Sequence, residues 1–311
     1  MIVLYIILIL TFVYATINKS KRALHMLQQN LYNENNRYIK WVIKNKKQFV
    51  SIEIILICIS VIGIYVIFDI SFIASLCLIL MSLFLLLIGY NWNKRIVNDQ
   101  NKKKLVVTAR IKRLIVTTSI IYIIPFIILF LDLNNVKLVW KMFLIESILL
   151  YLNAFVVFVA MIINTPIEKC VYLHFKNMAQ KKLSEMPNLK IIGITGSYGK
   201  TSSKNILSDI LNIKYNALPT PRNLNTYNGL IMTVNNYMDK FTDIFIAEMG
   251  AYVRGEIAGL CKLIKPKYGI LTRIGTAHLE SFGSEENIIK GKFELIESLP
   301  SDGFAVLNGD D

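Results

Sequence analysis

Long apolar stretches separated by short basic ones fill the first half of the chain. After residue 163 the pattern changes to short β-branched runs alternating with segments of helical spacing. The apolar runs occupy 1–17, 50–68, 70–90, 114–131 and 138–163. Each approaches the roughly 20 residues that a bilayer-spanning helix requires, the first at the short limit. Residues 1–163 are therefore expected to form an α-helical membrane region of five transmembrane helices. Residues 164–189 read as an amphipathic linker. Thr165-Pro166 is expected to end the last membrane helix, and Val171, Phe175, Met178 and Leu183 share one side of the polar helix that follows. Over 190–311, strands are expected at 190–195, 243–248, 267–274 and 303–307. Helices are expected at 200–212, 228–238, 255–264 and 285–298, with loops at 218–226 and 275–284. Such alternation predicts an α/β fold, a mostly parallel doubly wound sheet with helices on both faces.

Composition supports the division. A hydrophobic fraction of 54% and a mean hydropathy of +0.48 exceed what one soluble core requires. The net charge of +14 first suggests a nucleic-acid partner, but it is unevenly placed. Residues 1–163 hold 18 Lys/Arg against 6 Asp/Glu, and the remainder is nearly balanced at 17 against 15. The excess sits in two loops, 18–49 and 91–113, with eight basic residues each. By the positive-inside rule these loops are cytoplasmic and the N-terminus is outside. Five crossings then put everything after 163 in the cytoplasm, beside membrane lipid and with no nucleic-acid partner implied. The first run lacks a basic n-region and a cleavage site, so it reads as an uncleaved anchor. Within the runs, Glu53 lies near a cytoplasmic end and reads as a snorkelling, solvated acid. Glu146 lies deeper, with Lys141 nearby. Four cysteines without paired spacing imply neither disulfides nor zinc.

The chemistry begins at 190–204, KIIGITGSYGKTSSK. A β-branched strand, a Gly-rich turn and a helix in that order form a P-loop-like phosphate site. Glycines admit the phosphates, backbone N–H groups face inward, and the helix presents its positive end. Lys200 would reach the terminal phosphates and the Thr201 hydroxyl would meet magnesium. Strict P-loop spacing puts glycine at 194, where Ile194 stands. A tight turn with a surface lysine fits the same residues. Further polar clusters follow the later strands, Glu248-Met249-Gly250 and 275–280, and parallel sheets bind ligands at those carboxyl ends.

Six stretches in order resemble the central ATP-binding domain of the Mur ligase family. They are GITGSYGKTSSK (193–204), TPRNLNT (220–226), AEMGAYVRGEIA (247–258), GTAHLESFGS (275–284), IIKGKFELIESLPSDG (288–303) and VLNGDD (306–311). The nearest members join D-Ala-D-Ala to a muramoyl-tripeptide. The family loop has the form TGxxGKT, which accommodates Ile194. The resemblance implies an ATP-dependent carbon–nitrogen ligase of peptidoglycan precursor synthesis, using ATP and Mg2+. Its partners would be a UDP-linked or lipid-linked muramoyl-peptide and D-Ala-D-Ala. Gly196, Ser197, Gly199, Lys200, Thr201 and Ser202 would hold phosphate, and Asn308 and Asp310 would lie near the adenine. Thr201 and Glu248 would hold one magnesium and His278 a second. Lys292 matches the lysine that family members carbamylate into a metal ligand. Lys200, Lys292 and His278 form the implied catalytic set. Taken singly, His278 reads as a loop histidine, Lys292 as a solvated helix charge and Glu248 as a helix cap.

The chain also departs from the family. Five membrane helices replace the precursor-binding domain, and the third domain is missing, so 190–311 reads as a truncated central domain. Arg222 stands where glycine is usual, Tyr227-Asn228 replace an acidic/apolar pair, and Arg273 stands where asparagine is common. Two other readings are a poly-γ-glutamate or cyanophycin-type ligase on the same scaffold, and an inactive membrane protein that only binds nucleotide.

Overall fold

A computed structural model describes residues 2–45, 53–65, 71–98, 104–130 and 136–309. The chain divides into two compact units, Met1–Glu168 and Lys169–Asp311.

The first unit is helical: α1 (Ile2–Gln29), a 3-10 turn (Leu31–Asn36), α2 (Arg37–Lys44), α3 (Glu53–Tyr65), α4 (Ser71–Asn98), α5 (Ala109–Phe130) and α6 (Val136–Tyr151). The start of α7 (Asn153–Ser184) also belongs to it. α1 packs on α4, and α6 packs on α3 and α5. Leu8, Phe12 and Leu27 of α1 join Leu78, Met81 and Leu85 of α4 in the core. Outward positions such as Leu10, Leu83, Leu87, Ile120 and Ile127 are exposed and equally apolar.

Among the described residues four helices are long and apolar enough to cross a membrane: Val3–Gln29, Ile73–Arg95, Ala109–Ile128 and Asn153–Ser184. The run 50–68 yields the shorter apolar helix Glu53–Ile64, with its flanks outside the described residues. Four expectations are corrected here. α1 continues through Lys19, Lys21 and Arg22, because Lys19 is buried and donates to Glu53 Oε1 at 2.8 Å. Glu53 is accordingly a buried partner and not a solvated acid. The run 138–163 is divided at Leu152 into α6 and α7. Finally, Thr165-Pro166 does not end a helix, since Pro166 lies inside α7. The carbonyl that the proline leaves without a helical donor belongs to exposed Ile162, and the Thr165 hydroxyl donates to the Met161 carbonyl at 3.0 Å.

The second unit is a five-stranded parallel sheet of order β2-β3-β1-β4-β5. Its strands are β1 (Lys190–Thr195), β2 (Ala217–Pro219), β3 (Ile244–Glu248), β4 (Tyr268–Leu271) and β5 (Phe304–Leu307). The helices between them are α8 (Lys200–Leu211), α9 (Tyr227–Asn236), α10 (Glu256–Ile264), α11 (Leu279–Phe282) and α12 (Glu285–Glu297). β3 shows why helices cover both faces. Phe245 and Ala247 point into one core with Leu230, Leu260 and Leu295, while Ile244 and Ile246 meet Leu207 and Leu211 on the other. β2 overlaps the start of the expected loop 218–226, and α11 falls within the expected loop 275–284. The end of α7 packs through Ala179 and Leu183, joined by Met186 just beyond it, whereas Phe175 and Met178 of the expected stripe are exposed. On α8 the buried face carries Lys204 and Ser208, and Ile206 and Ile210 face outward.

Candidate nucleotide and phosphate site

The strand order makes β1 and β4 neighbours whose following loops leave in opposite directions, which opens a crevice at their carboxyl ends. The β1–α8 loop lies at that crevice. Gly196 has φ of +147°, and a Cβ there would lie 2.0 Å from Thr272 Oγ1, so only glycine fits. Gly199, at φ of +82°, caps α8 without a side-chain acceptor, which leaves the helix N-terminus available to an anion. The loop is fixed to the β4 side. Ser197 N donates to Arg273 O at 2.8 Å, Ser197 Oγ to Gly275 O at 2.9 Å, and Thr272 Oγ1 to Tyr198 O at 2.7 Å. Lys200 folds back over the loop, donating to Gly196 O at 2.6 Å and Ser197 O at 3.1 Å. Thr201 and Ser202 are exposed at the first turn of α8.

Glu248, at the end of β3, is the acid of the site and is buried. Its Oε2 accepts from the Thr201 hydroxyl at 3.0 Å and pairs with Lys204 Nζ at 3.0 Å, and its Oε1 accepts from Asn225 Nδ2 at 3.1 Å. Lys204 also donates to the carbonyls of Thr220 (2.9 Å) and Arg222 (3.1 Å). Arg222 adopts a left-handed φ of +48°, the conformation that explains glycine as the usual residue there. Lys204 and Asn225 lie within the matching motifs but were given no role by sequence. The available signal was the position of Lys204 one helical turn beyond Lys200.

Lys200, Lys292 and His278 lie within one another's electrostatic reach. Burial lowers the proton affinity of Lys200, opposed by the Glu248 carboxylate. Lys292 is buried on α12, with Nζ 3.3 Å from the Ala251 carbonyl. Burial, then the Lys200 charge, push its ammonium down to about 8 against the pull of Glu256 and Glu294. His278 is held below its ordinary value by partial burial, then by Lys292 and Lys200. Its ring meets the Tyr252 ring edge-on at 4.5 Å. Beside the loop is a cavity of about 540 Å³ lined by Leu271, Thr272, Gly275, Ile289, Phe293 and Asn308, among others. Asp310 lies outside the described residues.

Thr201 and Glu248 supply the hard oxygen donors that magnesium takes. Among the described residues no three His, Cys, Asp or Glu side chains gather to hold a metal unaided. This suits magnesium, which keeps water and substrate phosphate in its shell.

A parallel sheet with a glycine loop, a buried strand-end acid and a buried helix lysine defines a class of nucleotide-binding fold, and residues 194–311 match the family model described as Mur ligase middle domain. Over 136 residues the chain is 36% identical to the UDP-N-acetylmuramoyl-tripeptide–D-alanyl-D-alanine ligase of Bacillus subtilis (strain 168), covering 44% of this chain and 29% of that protein. The ligase of the same name from Escherichia coli (strain K12) is 35% identical over 144 residues, covering 46% and 31%. That from Mycobacterium leprae is 41% identical over 123 residues, covering 40% and 24%. A solved MurF ligase from Thermotoga maritima in complex with ADP is 37% identical, with a TM-score of 0.42, over 44% of this chain and 32% of that one. The chain thus spans less than a third of the length of these relatives.

Proposed function

We propose that this protein contributes the ATP site of an amide ligase that joins D-alanyl-D-alanine to a UDP-N-acetylmuramoyl-tripeptide. The observation that carries the reading is the 35–41% identity to ligases of that name across the stretch that builds the site. In the reaction, the precursor carboxylate attacks the γ-phosphorus of ATP, giving an acyl phosphate and ADP. The amine of the dipeptide then attacks the acyl carbon, forming the amide and releasing phosphate and a proton.

Each residue has a task in this scheme. The N-terminus of α8 and the loop Gly196, Ser197 and Gly199, with Ser202, hold the phosphates. Lys200 leaves its loop carbonyls and pairs with the terminal phosphate oxygens. Thr201 and Glu248 hold magnesium, which when bound neutralises phosphate charge. The cavity beside Asn308 receives the base. Lys292, depressed to about 8, has a neutral fraction near pH 7 able to add CO2, losing a proton and becoming a carbamate. The carbamate and His278 then provide donors for a second magnesium.

The membrane half follows from sequence. The apolar outward surface of the first unit suits a hydrocarbon solvent. Five crossings, with Glu53–Ile64 as a short one, and the two basic loops inside put the ATP site in the cytoplasm. Tethering would raise the effective concentration of a lipid-linked acceptor.

The test is nucleotide binding by the full chain in detergent. Lys200→Ala should weaken ATP binding at least tenfold, and unaltered affinity would remove the phosphate role. ADP release that requires both UDP-muramoyl-tripeptide and D-Ala-D-Ala supports the named reaction. Release that follows glutamate instead assigns a polymerase. Faster release with lipid-linked than with UDP-linked tripeptide in liposomes supports a membrane acceptor, and preference for the soluble one opposes it.

A further inference from the structure

The ligase reading leaves unused a set of contacts between α7 and α9 inside the second unit, to which residues 169–184 of α7 belong. They follow α9 from its first residue to just past its last. Tyr172 meets Tyr227, the first residue of α9, with ring centroids 6.1 Å apart and the two hydroxyls within electrostatic reach. Asn235 Nδ2 donates to the Phe175 carbonyl at 2.9 Å. Lys182 Nζ donates to the carbonyls of Asn235 (3.4 Å) and Met238 (2.5 Å), which puts a cation at the negative end of the helix. Between these contacts, Ala179 and Leu183 of α7 join the core that holds Leu230, Ile231 and Val234 of α9.

α9 in turn bears on the nucleotide site. Its N-cap, Thr226, accepts from Gly229 N at 3.3 Å. The residue before the cap is Asn225, whose Nδ2 donates to Glu248 Oε1 at 3.1 Å and whose carbonyl accepts from Gly250 N at 2.8 Å. Two close approaches leave this junction no slack. A Cβ at Gly229 would lie 2.7 Å from the Leu224 backbone, and one at Gly250 would lie 3.0 Å from the Asn225 side chain. The first turn of α9 therefore cannot shift without moving Leu224 and Asn225.

We propose that the last turns of α7 are a positioning element of the ATP site. Tyr172 and Lys182 fix α9, and α9 holds Asn225 against Glu248, so that the acid is set for magnesium. Neither residue touches nucleotide. The inference rests on the ATP-site reading above and adds to it a part for α7 in magnesium binding.

Hydrogen exchange of the full chain in detergent, without nucleotide, reads the junction through the Gly250 amide. Tyr172→Ala, a change at an exposed side chain, should speed exchange at Gly250 at least tenfold and leave the β4 amides unchanged. Equal acceleration at β4 would make α7 a source of general stability alone, and no acceleration at Gly250 would leave Asn225 independent of it. Either result overturns the proposal. In a second readout, the magnesium concentration for half-maximal ADP binding should rise several-fold in Tyr172→Ala. The same change in an Asn225→Ala background should add nothing further. An unchanged midpoint, or a full shift in both backgrounds, also overturns the proposal. Lys182→Met should reproduce the exchange pattern, and it replaces Tyr172→Ala should that variant not fold. ADP binding that ignores Lys200→Ala would remove the ATP-site reading instead. The exchange result needs no nucleotide and then decides alone whether α7 holds the loop.

Discussion

Replacing Lys204 by methionine separates two accounts of the acid at the end of β3. Lys204 and Glu248 are 2% and 3% exposed and 3.0 Å apart, and Lys204 also donates to two backbone carbonyls. If the pair is a solvated surface contact, its loss costs at most about 1 kcal/mol. If it is a buried pair, removing one partner strands Glu248 in low dielectric, hydrogen-bonded to the Thr201 hydroxyl and Asn225 and with Lys200 as a more distant charge. That costs about 3–5 kcal/mol, or roughly two to four decades in an opening equilibrium. Hydrogen exchange at the β1 and β3 amides of the full chain in detergent reads this quantity where it arises. Lys204→Met should lower protection there by that amount. Adding Glu248→Gln, which removes the stranded charge, should restore most of it, with a coupling of at least about 2 kcal/mol. A single variant that loses less than about 1 kcal/mol, or two effects that simply add, would refute the buried-pair account.

Lys292 should make stability depend on pH. Its proton is held at about 8 in the fold against 10.5 in the unfolded chain. Below pH 8 both states are protonated and the full penalty stands. Between 8 and 10.5 the unfolded state binds more protons, so stability climbs with pH, by on the order of 3 kcal/mol in all, and then levels off. Lys292→Met should flatten that climb in carbonate-free buffer, as measured by denaturant unfolding at pH 7 and 10. Gly196→Ala should disrupt the phosphate loop, because its Cβ would lie 2.0 Å from Thr272 Oγ1. ATP binding should fall by more than tenfold and return in part with Thr272→Ala, and unchanged affinity would mean that the loop does not need its close approach to β4.

The parts of the fold that sequence revealed are those where one local rule dominates. The β1–α8 loop was legible because a positive φ at Gly196 and Gly199 restricts the residue type, and Glu248 because it ends an apolar strand. β2 was not, since three residues ending in Pro219 are too short to show alternation. α11, at four residues, is equally invisible to periodicity. Pro166 was read as a break because a local rule was applied where the helix exposes the carbonyl concerned. The largest omission was Lys204. A lysine on the inward side of α8 reads as a charge to be solvated, and only the tertiary position of Glu248 makes its burial favourable. Glu53 was misjudged for the same reason, its partner lying 34 residues earlier in the chain.

The strand order has a consequence for how the second unit comes to be folded. β1, the first strand made, sits in the middle of the sheet, and both of its neighbours are synthesised later. The nearest of them, β3, is separated from it by contacts such as Thr195 to Met249, 54 residues apart. During synthesis the strand that carries the glycine loop therefore waits unpaired, with Ile191, Ile192 and Ile194 unprotected. Parallel pairing over such separations is slow and leaves the growing chain open to aggregation. Nucleotide added to a refolding mixture cannot shorten that wait, because its loop is not shaped until β4 supplies Thr272 and Arg273. Ligand stabilisation should consequently appear as slower unfolding and leave the rate of folding unchanged.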